Sequence, residues 1–93
     1  MKSGSNLERA LESGEFIVTA EIGPPVGADI EFIRRKMELL RGNVHAANIT
    51  DCQTAVVRMS SMAASILLHQ CGVEPVMQMT CRDRNRIAIQ ADI

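Results

Sequence analysis

Three short runs with strand character recur about 30 residues apart, Phe16–Ile22, Val44–Thr50 and Val73–Thr80, each followed by a stretch with helical spacing. Strands joined by helices of that length pair in parallel through right-handed crossovers, so the class is α/β. The first run stops at Gly23-Pro24-Pro25, because proline cannot donate to a ladder. Asp29 then caps a helix to about Arg41 whose apolar face is Ile30, Ile33, Met37 and Leu40. After the turn-like Asp51-Cys52-Gln53-Thr54, a second helix is expected over Val56–Gln70, burying Val56, Met59, Ala63, Ile66 and Leu67. A third helical pattern begins at Arg82 with Ile87, Ile89 and Ala91, and is cut short at Ile93. Residues 1–15 read as a polar leader with a short helix, Leu7 to Leu11, capped by Ser5 and stopped at Ser13-Gly14. Residues 16–93 hold the βα units.

The chain has 93 residues, enough for one small domain. Its net charge is -1, with no basic block and two aromatic residues, which excludes the usual footprint of a nucleic-acid binder. No apolar run approaches the roughly 20 residues of a membrane helix, and the polar start lacks a secretion signal, so a cytoplasmic protein without a membrane partner is expected. Cys52, Cys71 and Cys81 form no CxxC pair and suit reduced, mostly buried thiols better than disulfides or zinc. His45 and His69 lack metal-ligand spacing and read as packing or surface residues, so no metal is expected.

Residues two apart in a strand share a face. On one face the strands offer Thr19 and Glu21, Asn48 and Thr50, then Gln78 and Thr80, whereas the other is mainly apolar. A doubly wound sheet buries both faces under helices, which makes a polar stripe expensive. In a TIM barrel the same stripe lines the mouth, where barrel enzymes build their sites. The absence of GxGxxG after any strand, and of a P-loop, also weighs against a Rossmann domain. The expected architecture is therefore parallel βαβαβα, the first three units of a TIM barrel.

Glu21 sits near the end of an otherwise apolar strand, so it either pairs with a cation or performs chemistry. With Glu21 before the Gly-Pro-Pro turn, Asn48-Ile49-Thr50, and the stretch MTCRDRNR at 79–86, the chain resembles methylenetetrahydrofolate reductase, particularly its short bacterial and archaeal forms. The resemblance runs from Phe16 onward and corresponds to the first three units of a domain that normally has about 250 residues. It implies an N-terminal piece of that barrel.

That family reduces methylenetetrahydrofolate to methyltetrahydrofolate, a step toward methionine, through FAD or another flavin. The resemblance implies that Glu21 is the general acid, protonating a folate nitrogen so that the ring opens to an iminium which accepts hydride. A carboxyl with that task needs an apolar, shielded setting. By the same resemblance Thr50 lies near the flavin, with Asp51 and Gln53 in the loop that contacts it. The loop here reads Asp-Cys-Gln instead of the common aromatic-Gly-Ala, and Gln78 replaces a common histidine, keeping hydrogen bonds but losing titration. Folate is the implied substrate, and NAD(P)H or a partner subunit the electron donor. Thr80 and Asn48 are expected to satisfy backbone groups, and the Arg82–Arg86 run to be a solvated first turn or a phosphate contact. The alternative reading is a non-catalytic assembly module. Open strand edges point to a homo-oligomer or to association with the rest of a barrel.

Overall fold

The computed structural model describes residues 2–93. A helix, α1 (Asn6–Glu12), precedes three parallel strands, β1 (Thr19–Ile22), β2 (Ala46–Ile49) and β3 (Pro75–Met77), ordered β1-β2-β3. Helices α2 (Ile30–Leu40) and α3 (Ser61–Gln70) are the crossovers, and α4 (Arg86–Asp92) follows β3. Both crossovers cover one face of the sheet. Ile33 and Met37 of α2 and Ala64 and Leu68 of α3 join Ile22, Ala47, Ile49 and Val73 in a single core. Leu68 is fully buried, so its truncation to alanine costs about 2–5 kcal/mol. The opposite face, which carries Glu21 and Asn48, has no crossover helix on it.

The strands are shorter than expected. Phe16 is 89% exposed and lies outside β1. Beyond Thr19 the ladder continues in altered form: His45 N–H donates to Val18 O (2.8 Å), but Val18 N–H is taken by the imidazole Nδ1 of His45 (3.1 Å). Its Nε2 faces Glu15 at 3.3 Å, so this histidine ties the chain together, whereas His69 is exposed. In β3, Glu74 O accepts from Ala47 N–H (2.9 Å) and Gln78 N–H donates to Ile49 O (3.1 Å). By alternation Pro75 and Met77 turn their backbone groups to the free edge, where Pro75 has no amide to offer.

The largest departure is α3, which starts at Ser61 and not at Val56. The reason lies in the Gly-Pro-Pro turn: Pro25 O accepts from Met59 N–H (2.8 Å) and Pro24 O from Arg58 Nη1 (3.1 Å), holding 56–59 as a connector. Ser60 then caps the helix by accepting from Ala63 N–H at 3.1 Å. The buried face is also rotated. Ser61, Ala64, Ser65 and Leu68 meet the sheet, while Val56 and Ile66 are 44% and 52% exposed. Small residues let the helix approach closely, and Ser61 Oγ donates to Gln78 O at 2.7 Å.

At the N-terminal ends of the strands, α1 has the expected Ser5 cap, which accepts from Glu8 N–H at 3.1 Å. Both oxygens of Glu74 accept from its first amides, Asn6 at 2.7 Å and Leu7 at 2.9 Å, satisfying donors that a helix start leaves free. Cys52 and Cys71 are half-buried and Cys81 is exposed, so the burial expected for Cys81 is not found. No helix among the described residues is long and apolar enough to cross a membrane.

Candidate functional site

The strand registers place Glu21 beside Asn48, and Asn48 beside Val76, in one row across the sheet. One pleat further, Thr50 N–H donates to Ile22 O (3.2 Å) and Gln78 N–H to Ile49 O, so Thr50 and Gln78 stand on that same face. A cleft of about 150 Å³ opens there, lined by Glu21, Thr50, Asp51, Gln53, Gln78 and Thr80. Every residue named from sequence as a site candidate is thus on one wall. The cleft is below the roughly 300–1,000 Å³ of small-molecule sites, so it fits one edge of such a ligand.

The lining groups differ sharply in how they are engaged. Glu21 is exposed, and its carboxylate has no hydrogen bond or ion pair among the described residues. The apolar shield expected around it is not supplied by these three strands, whose open face is its surroundings. Thr50 is 4% exposed, yet its hydroxyl is buried without a partner. Such an orphan costs about 1–3 kcal/mol, and a ligand that accepts or donates there recovers it. A methyl at Gly23 would stand 3.8 Å from that hydroxyl, in ordinary contact.

Asp51 is used differently. Its carboxylate is buried and accepts from Thr80 N–H at 2.9 Å, while its carbonyl accepts from Thr80 Oγ1 at 2.7 Å. Arg84 Nη2 lies 3.3 Å from the same carboxylate. Thr80 therefore serves the backbone as expected, whereas Arg84 does not belong to a solvated turn: its side chain is 22% exposed and bridges Asp51 to Asp92. Sequence reasoning missed Arg84 because nothing in a mixed-charge run marks a partner on another strand end.

The loop after β2 supplies Gln53, exposed between residues of unusual backbone. Cys52, Thr54 and Ala55 have φ of 43°, 59° and 59°, in the left-handed region where a Cβ costs roughly 1–2 kcal/mol. Functional loops often retain such strain. Arg82 Nη2 donates to Cys52 O at 3.3 Å, bracing the loop from the β3 side. Its hydrogen bonds to Asp83 hold that carboxyl below its ordinary range and raise the guanidinium in turn. A larger hollow, about 540 Å³, lies at the other end of the strands near Asn6, His69 and Glu74, where the Glu74 carboxylate is already occupied by α1.

The donor set suits one polar edge of a flavin: an orphaned hydroxyl at Thr50 flanked by the amides of Gln53 and Gln78. Among the described residues no cluster of histidine, cysteine or carboxylate side chains is arranged to hold a metal ion. A family model described as methylenetetrahydrofolate reductase matches residues 6–93. No curated protein and no solved structure matches the chain.

Proposed function

The chain belongs to the methylenetetrahydrofolate reductase family, and we propose that its open polar face is one wall of a flavin-dependent site that reduces methylenetetrahydrofolate to methyltetrahydrofolate. The family is one of oxidoreductases acting on folate, generally with flavin. The observation that carries the reading is the shared cleft, lined both by Glu21, whose carboxylate is unpaired, and by Thr50, whose hydroxyl is buried without a partner.

Bound flavin supplies hydride. Within this chain, Thr50 Oγ1 and the Gln53 and Gln78 amides hydrogen-bond and orient the cofactor's polar edge. Asp51 shapes the floor by tying Thr80 into place. Glu21 carries the proton that goes to a folate nitrogen. Shielding from water favours the protonated form of a carboxyl, so the reading requires further walls over Glu21. In our proposal these are βα units that continue the sheet into a TIM barrel, to which this chain gives the first three, working in the cytoplasm. Electrons arrive from NAD(P)H or a partner subunit.

FAD titrated into the purified chain tests the cofactor wall. Quenched flavin fluorescence with saturable binding supports it, and a flavin signal unchanged by either this chain or its assembly with the remaining units sinks it. A second reading, a non-catalytic assembly module, is favoured by the two open edges of the sheet. Light scattering decides that reading: a well-folded monomer across the micromolar range removes it.

A further inference from the structure

The ends of β2 and β3 are joined beyond their ladder by a compact ionic bridge. The Asp51 carboxylate is buried, 4% exposed at its side chain, and a buried polar group needs partners. It receives Thr80 N–H at 2.9 Å and the Arg84 guanidinium at 3.3 Å, while Thr80 Oγ1 returns a bond to Asp51 O at 2.7 Å. The other arm of Arg84 meets Asp92 in α4. Helix α4 buries no residue fully, with Ala88, Ile89 and Asp92 half-buried, and the guanidinium is its ionic tie to the strand ends.

The bridge sits against the cleft. Asp51 follows Thr50 directly, and Thr80 is two residues after Gln78 on the same wall. Separating the two strand ends would move the Thr50 hydroxyl away from the Gln78 amide. We propose that Arg84 is a positioning residue: through Asp51 and Thr80 it fixes the spacing of Thr50 and Gln78, and through Asp92 it makes that spacing depend on how α4 is seated. The functional half rests on the reading of Thr50 and Gln78 as cofactor contacts. The mechanical half does not. Arginine suits the position because its planar fork serves two carboxylates at once, whereas a lysine ammonium is a single point.

Amide hydrogen exchange on the purified chain, residue by residue, tests the mechanical half. In Arg84→Met, Thr80 and Gln78 should exchange about 10-fold faster, since a charged bond is lost locally, while Ala47 and Ile49 in the core stay within about 2-fold. Arg84→Lys should lie between Arg84→Met and the parent chain, and supplies the comparison if the methionine variant does not fold. Unchanged exchange at Thr80 and Gln78 overturns the proposal, as does equal acceleration everywhere, which would make Arg84 a residue of general stability. FAD affinity is the second readout: the same order of variants, with about a 10-fold loss in Arg84→Met, is expected. FAD bound equally by all variants overturns the positioning role. Should neither the parent chain nor its assembly with the remaining units bind FAD, the cofactor reading fails and the exchange pattern alone decides the bridge.

Discussion

The two ends of this small sheet use the same kinds of side chain for opposite purposes. At the N-terminal ends, Glu74 satisfies two helix amides, and His45 completes a ladder and faces Glu15. At the C-terminal ends, Glu21 meets no partner and the Thr50 hydroxyl is buried without one. Nothing in residue type separates Glu74 from Glu21; what differs is whether a neighbouring element turns its donors toward the carboxylate. Polar groups at the N-terminal end therefore hold the fold together, whereas at the C-terminal end Glu21 and Thr50 stay unengaged beside the Asp51–Thr80–Arg84 bridge that joins the strands.

Four experiments press on that contrast. The largest effect is expected from Glu21→Gln, which in the completed site should lower folate reduction by about 10²–10⁴-fold while leaving flavin affinity within about 2-fold. Full turnover by this variant, measured as methyltetrahydrofolate formed, would remove the proton donor from the functional end. Thr50→Val should weaken FAD binding about 10-fold yet leave the chain as stable as before or more so, because it deletes an unsatisfied hydroxyl. Fluorescence titration and urea denaturation read the two halves; lost stability with unchanged affinity would place Thr50 among the structural groups.

Glu74→Ala should do the reverse, lowering stability by about 1 kcal/mol as α1 loses its acceptors, with FAD binding unaffected. Exchange at Asn6 and Leu7 locates the effect, and protected amides there would erase the contrast. The smallest effect concerns Glu8, whose carboxyl is held below its ordinary value of 4.5 chiefly by the Ser3 hydroxyl and amide. The support it gives α1 is present above pH 4.5 and is lost as pH falls through the lower folded value. Helicity followed by circular dichroism from pH 6 downward should fall in that acid window, and Glu8→Gln should flatten that loss.

Much of the sheet was legible because a period of two leaves no freedom: once Glu21, Thr50 and Gln78 share parity, parallel pairing brings them to one face. The rotation of α3 was not legible. Large apolar residues such as Ile66 stand out in a sequence, whereas the surface that approaches the sheet is built from Ser61, Ala64 and Ser65, whose value is their small size. Nor was the shielding expected around Glu21 found, since burial belongs to whatever faces a side chain and not to its own strand. Arg84 and Asp51 lie 33 positions apart, and their meeting is a product of the third strand's register. The Ser5 and Asp29 caps, by contrast, act within one turn and were readable directly.

Pro75 gives the sheet a preferred direction of growth. On the free edge of β1, Thr19 and Glu21 retain amides and carbonyls, whereas the free edge of β3 has Met77 as its only amide donor within the strand. A partly folded chain therefore offers a weak template on one side and a full one on the other, and the full one carries a carboxylate that repels its own copies. Runaway stacking of sheets into fibrils needs two matching edges, and this chain presents a mismatched pair.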